Sequence, residues 1–319
     1  MSISLGVVMD PITTINIKKD STFAMLLEAQ NRGWALFYME QPDLYVSNGS
    51  VHATMHRLRV FDDPQHWHTL DSQVDRRLSK LDVILMRKDP PFNMEYVYTT
   101  YMLDLAAAEG TVIVNNPAAL RDINEKLYTS WFPQCCPPTL VSRHQYRFLD
   151  FLKNHGEIVI KPLDEMGGAS IFRIRDSDLN TNVILETMTQ RGTRMALAQQ
   201  FIPQYVHGDK RILIIDGQPI PFALARIPAK GEFRANLAAG GTGKGVELTD
   251  RDYWISQQVG PLLRDKGILF AGLDVIGDYL TEINITSPTC IRELQELYQL
   301  NISGQIMDAI ASRLRARHR

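Results

Sequence analysis

Apolar residues along the chain fall into short runs separated by stretches in which they recur every three or four positions, the alternation of an α/β protein. The runs at 5–9 and 35–39 read as strands, and 21–32 between them as a helix. Ala24, Leu27 and Ala29 help form the apolar side of that helix, Asp20 or Ser21 caps its start, and Gly33 stops it. The same pattern predicts a strand over 83–86, a helix over 96–109 and a strand over 111–114. Asn116-Pro117 supplies a cap and an N1 proline for a further helix, and a first unit ends near residue 122. Residues 44–78 are polar, rich in His and Asp, and carry no assignable period.

A second, smaller unit follows, with strands over 139–142 and 158–161, a helix over 146–154 and a continuation at 170–174. From Met195 the chain becomes strand-rich, at 195–202, 210–215, 218–226, 269–276 and 280–285, before a closing helix with Ile306, Ile310 and Leu314 on one side. Divisions at 1–122, 123–203 and 204–319 result. A length of 319 residues fits two or three such units.

Composition narrows the class. Lys+Arg number 34 against 36 Asp+Glu, so the basic excess of a general nucleic-acid or acidic-membrane binder is missing. Three cysteines make no disulfide framework and point to a reducing compartment. No basic segment precedes the apolar residues 5–9, and no apolar run approaches the ~20 residues of a membrane span. The expectation is a cytoplasmic protein without nucleic-acid or membrane partners.

Chemistry concentrates in four places. Lys161 ends a strand and is followed by Asp164-Glu165-Met166-Gly167-Gly168, where paired glycines allow backbone N–H groups to approach phosphate oxygens. No Gly-Lys-Ser/Thr follows, so this is not a Walker loop, and a purely structural turn is the competing reading. Asp216-Gly217 is a two-residue turn that pairs Ile215 with Gln218 and sets Asp209 and Arg211 on one face with Arg226. A solvated salt-bridge patch would look the same. In 270–285, a two-residue turn alone would put Asp274 and Glu282 on opposite faces. An odd-length loop or an equivalent bulge pairs them, with Asn284 next along, and two facing carboxylates then require a cation. Finally, 228–245 is rich in glycine and carries Arg234 and Asn236, as a catalytic loop would. His52, His56, His66 and His68 lack the partners of a zinc site, and Cys135-Cys136 lacks redox spacing.

Together these pieces resemble the ATP-grasp superfamily and, more closely, the bacterial glutathione synthetases. The resemblance spans essentially the whole chain, carried by VVMDPI (7–12), ILMRKDPPF (84–92), LRDINEKLY (120–128), IKPLDEMGGASIFR (160–173), GDKRILIIDG (208–217) and GLDVIGDYLTEINITSPTCIRE (272–293). It implies an α/β ATP-grasp fold: an N-terminal, substrate-binding pre-ATP-grasp domain with a parallel sheet (1–122), a small lid domain (123–203) and an antiparallel catalytic domain (204–319). By position, Lys126, Lys161, Gly167 and Gly168 would meet the nucleotide phosphates. Gln199, Gln200, Phe201 and Ile202 would lie along adenine, and Asp209 near the ribose. Arg211, Arg226, Arg234 and Asn236 would serve catalysis, while Asp274, Glu282 and Asn284 would hold Mg²⁺ or a substituting Mn²⁺. Arg87, Asn284, Ser287 and Thr289 would lie near the dipeptide, with helix N-terminal amides after 287–289 meeting a carboxylate.

The activity so implied joins γ-glutamylcysteine to glycine through an acyl phosphate made with ATP, in a homo-oligomer, as a tetramer. Another ATP-grasp carboxylate–amine ligase and a non-catalytic nucleotide-binding protein are the alternatives. One departure stands out: relatives commonly read DGMGG where this chain reads DEMGG. If that position needs a positive φ, Glu165 is strained, and Glu165→Gly should lower the KM for ATP.

Overall fold

A computed structural model describes residues 3–165, 167–232, 234 and 240–317. Three sheets organise it. The first has seven strands: β1 (Ser4–Val8), β2 (Ala35–Met39), β3 (Leu44–Ser47), β4 (Ser50–Val60), β5 (His68–Arg77), β6 (Val83–Met86) and β7 (Val112–Val114). β1 runs parallel to β2 and β6, and β6 parallel to β7. Their near-continuous apolar sequences suit a parallel sheet covered on both faces. Helices α1 (Ser21–Asn31), α2 (Met94–Ala108) and α3 (Pro117–Asp122) accompany it. Asp20 caps α1, its carboxylate accepting from Phe23 N at 2.6 Å.

The unassigned residues 44–78 prove to be largely an antiparallel meander, β3–β4–β5. Its signal was hidden because a bulge between His56 and Leu58 switches the buried face midway, and because β5 is almost wholly exposed.

The second sheet has order β10-β9-β11-β8, from β8 (Thr139–Ser142), β9 (Glu157–Pro162), β10 (Phe172–Arg175) and β11 (Ala196–Gln200). With α4 (Gln145–His155) and α5 (Thr181–Met188) it encloses a small core of its own around Phe148, Ile158, Ile160 and Leu185. The third sheet, β14-β13-β12-β15-β16, is antiparallel, from β12 (Asp209–Ile215), β13 (Gln218–Ile227), β14 (Thr242–Glu247), β15 (Phe270–Ile276) and β16 (Tyr279–Asn284). Helices α6 (Asp250–Asp265), α7 (Ile291–Tyr298) and α8 (Ile302–Arg317) pack on it, α7 and α8 also against α1. The first and third sheets share both larger cores, so they form one body.

Four elements escape the apolar pattern, the first being α5, which is only eight residues long. α6 starts at a Thr249/Asp252 capping box but contains Gly260 and Pro261, which suppress its helical signal. α7 is only eight residues long. β14 takes up the end of the expected glycine-rich loop: Gly243 pairs with Arg226 and Gly245 with Leu224. A Cβ on Gly245 would lie 2.6 Å from the Tyr298 ring, so glycine there permits packing rather than mobility.

Candidate active site

β9 carries Lys161 to the edge of a cleft between the second and third sheets, and β11, antiparallel to β9, brings Gln199 and Gln200 alongside. Lys126, Lys161, Gly167, Gly168, Gln199, Gln200, Phe201, Ile202 and Asp209 all line this cleft, with Arg234, Thr281 and Glu282. Phe201 is covered on one side by the Arg173 guanidinium, 3.8 Å from the ring centroid. Arg234 reaches across from its own loop to the Gly168 carbonyl at 3.4 Å. Asn236 lies outside the described residues.

The β15–β16 hairpin resolves the register question. Its turn has two residues, with Ile276 paired to Tyr279, but a bulge between Asp274 and Val275 restores Asp274 opposite Glu282 and Gly272 opposite Asn284. The bulge is the alternative that keeps both carboxylates on one face. It also leaves the Thr281 carbonyl accepting from Lys161 Nζ at 3.5 Å, while Lys161 meets Glu282 Oε1 at 3.2 Å. In β12–β13 an irregularity shifts the register by two residues, which preserves the face, so Asp209 lies directly opposite Arg226.

These strands build a dense ionic array. Arg211 donates from Nε to Asp274 Oδ1 at 2.5 Å and from Nη2 to Oδ2 at 3.0 Å. Arg226 Nη2 lies 2.9 Å from Asp274 Oδ2 and 2.6 Å from Asp209 Oδ2. A Cβ on residue 272 would come within 2.7 Å of Arg211 Cδ, so Gly272 makes room for that guanidinium. Burial opposes ionisation of Asp274, but Arg211 and Arg226 overcome it and hold the carboxyl well below the usual range. Glu282 follows the same logic, with Lys126 and Lys161 outweighing burial. Asp209 goes the other way: burial pushes it up to about 7 against the pull of Arg226. Its Oδ1 is buried with no hydrogen-bond partner, an acceptor left for a ligand hydroxyl.

A second cavity, of ≈ 220 Å³, adjoins the first through Gly167 and Glu282. Arg211, Arg226, Asp274, Asn284, Ser287 and Thr289 line it together with Glu125 and Asp89. Arg87 lines neither cavity. It is buried, donating from Nε to Thr22 Oγ1 at 3.0 Å and from Nη2 to the Pro288 carbonyl at 2.8 Å, and so braces the 287–289 segment from behind. The helix after that segment is less open than its sequence implies, since Ile291 N already donates to Ser21 Oγ at 3.2 Å.

Glu165 is not strained. Its φ is not among the positive values, and its carboxylate meets Arg194 Nη2 at 3.1 Å, so the extra charge is locally paired. The condition on which Glu165→Gly would improve ATP use is therefore unmet. Sequence reading also passed over Asn115, Glu125 and Arg194. Glu125 takes a short hydrogen bond from Lys126 Nζ, and burial together with Glu282 raises its pKa. Asn115 donates to the Phe270 and Ile285 carbonyls, both at 2.7 Å, and accepts from Leu269 N and Phe270 N at 2.8 and 3.0 Å. No motif marks it, because its function is to join two sheets far apart in sequence.

Solved structures with this fold include D-cycloserine synthetase DcsG, with TM-score 0.67, 14% identity and 98% of this chain and 99% of that one covered. The ATP-grasp ligase PsnB, complexed with minimal precursor, Mg and ADP, matches with TM-score 0.63 and 15% identity, covering 98% of each chain. The fold is that of the ATP-grasp ligases. The profile of the prokaryotic glutathione synthetase N-terminal domain matches residues 3–121, and that of the prokaryotic glutathione synthetase ATP-grasp domain matches 125–299. Glutathione synthetase of Pseudomonas putida is 58% identical over 317 residues, 99% of this chain and 100% of that protein. That of Vibrio vulnificus YJ016 is 54% identical over 316 residues, 99% of each. The chain belongs to the prokaryotic glutathione synthetase family and is an ATP-dependent carboxylate–amine ligase.

Proposed function

We propose that the chain joins γ-glutamylcysteine to glycine with ATP, giving glutathione, ADP and phosphate, and that the two adjoining cavities divide the work. The nucleotide lies in the first, adenine along Gln199–Ile202, a ribose hydroxyl at Asp209 and the phosphates at Lys126, Lys161 and the Gly167-Gly168 turn. The dipeptide lies in the second, near Ser287, Thr289 and Asn284, with Arg87 supporting that wall. Its cysteinyl carboxylate attacks the γ-phosphate; the resulting acyl phosphate is attacked by the glycine amine, and phosphate leaves. A carboxylate is a poor acyl donor, so activation is what ATP provides. Arg211, Arg226, Arg234 and Asn236 position and neutralise the transferring group, and no protein nucleophile is needed. The segments 1–122, 123–203 and 204–319 act as substrate-binding, lid and catalytic domains, in a cytoplasmic homo-oligomer, as a tetramer.

A divalent cation fits the donor set. Asp274, Glu282 and Asn284 present only oxygen donors to it on one hairpin face, with both acids held ionised, the chemistry Mg²⁺ prefers and Mn²⁺ shares. Among the described residues no three His, Cys, Asp or Glu side chains group as a metal site, so water and phosphate oxygens would complete the shell. Bound there, the ion would neutralise phosphate charge.

The observation that carries this reading is the meeting of Lys161 with Glu282 at 3.2 Å, which joins the phosphate side of the cleft to the metal side across two sheets. Arg226→Ala and Glu282→Gln are each expected to lower kcat by about 100- to 1000-fold, the scale for removing one transition-state stabiliser. Steady-state kinetics check this, and a loss under about tenfold in both would remove the pair from the reacting centre.

A further inference from the structure

A third cavity, of ≈ 70 Å³, opens where segments leaving all three sheets meet. Phe92 follows β6, Leu163 follows β9 and Ile285 follows β16, and with Ile123 they supply its apolar wall. Arg121 in α3 and Glu125 just beyond it supply charge of both signs. The cavity shares Pro90, Glu125 and Thr286 with the second cavity, but only Glu165 with the first. A molecule held there reaches the proposed dipeptide position without passing the nucleotide.

Two of the acids around it are already engaged: Asp164 and Glu165 both meet Arg194 Nη2, the latter at 3.1 Å. Glu125 differs. Lys126 Nζ takes its Oε1, and among the described residues no hydrogen bond reaches Oε2. Burial and the neighbouring Glu282 disfavour a bare negative charge at that point, so a cationic group on a ligand answers it. Arg121, held by Asp104 at 2.6 Å and by Thr100 Oγ1 at 3.1 Å, is fixed as the cavity's cation.

We propose, resting on the ligation described above, that this third cavity receives the amine substrate as its zwitterion, with the ammonium at Glu125 Oε2 and the carboxylate toward Arg121, and that its walls select glycine. At about 10–15 Å³ for each water-sized group, the space admits on the order of five non-hydrogen atoms. That is the size of glycine, and a side chain on its α-carbon would press on Phe92, Leu163 or Ile285. Glu125 stands at the junction of the second and third cavities, so a nitrogen held there faces the dipeptide carboxyl once it is activated. Holding the two reactants in adjoining cavities is the positioning that such a ligation requires.

Steady-state kinetics of glutathione formation by the full chain test it. Glu125→Gln should raise KM for glycine by about 10- to 100-fold, the scale for losing a hydrogen bond to a charged group, while KM for γ-glutamylcysteine holds. A general loosening of the site would move both constants together. Should that variant fail to fold, Phe92→Ala reads the same cavity at a side chain 36% exposed. With the wall opened there, kcat/KM for L-alanine relative to glycine should rise about tenfold or more over the wild type, the scale for one methyl group in an apolar pocket. An unchanged KM for glycine in folded Glu125→Gln, a rise in KM for γ-glutamylcysteine instead, or an unchanged preference in Phe92→Ala overturns the amine site and leaves the ligation standing. A wild type that makes no glutathione removes the ligation, and this site with it.

Discussion

Asp274 holds two guanidiniums and faces a third ionic centre, which makes it the residue on which the array's stability turns. Asp274→Asn, in metal-free buffer, strips Arg211 of its carboxylate and leaves Arg226 only Asp209. Removing one partner of a buried ion pair costs about 3–5 kcal/mol at neutral pH. The sign with pH follows from the direction of the shift. Folding depresses this carboxyl below its ordinary 3.8, so its stabilisation is present above pH about 4 and is lost as pH falls toward the folded value. The urea midpoints of wild type and variant should differ most at pH 7 and draw together toward pH 3; a gap that holds constant would mean the carboxylate is not the ionised partner. Glu165 is a smaller case. With its carboxylate on Arg194, Glu165→Gly should raise rather than lower the KM for ATP, by a few-fold, because the glycine turn loses a tether. Initial rates against ATP concentration decide the direction.

Between elements, the bulge in β16 and the Asn115 clamp place the site. Asn115 satisfies two carbonyls and two N–H groups of the third sheet and its exit, all buried. Asn115→Ala should lower stability by about 3 kcal/mol or more, since a buried polar group without a partner costs 1–3 kcal/mol. Chemical denaturation measures it, and a change below about 1 kcal/mol would show that water replaces the amide. These elements also mark what the sequence makes legible. Asp274, Glu282 and Asn284 are readable because strand alternation and the need to separate like charges leave few registers. Asn115 and Arg194 are not, because each acts on residues 29 to 170 positions away and belongs to no local period. Resemblance sets Arg87 near the substrate wall, but that it meets Thr22 and Pro288 follows only from tertiary packing. The β3–β5 meander was obscured by its bulge, and α6 by Gly260 and Pro261.

At the scale of the molecule, the first and third sheets form one body, and the second carries a separate core across a cleft lined from both sides. That arrangement suits a ligase whose acyl phosphate must be kept from water while an amine reaches it. Lys126, Lys161, Arg211 and Arg226 face Glu125, Asp209, Asp274 and Glu282, and because burial pushes Glu125 and Asp209 toward their neutral forms the array keeps an excess of positive charge. The most direct measurement is a mass-resolved product assay with ATP, Mg²⁺, γ-glutamylcysteine and glycine, each withheld in turn. The account predicts glutathione, ADP and phosphate in equal amounts only when all four are present. Glutathione formed without ATP or Mg²⁺, or stoichiometric ligation of a different amine while glycine is refused, would contradict it.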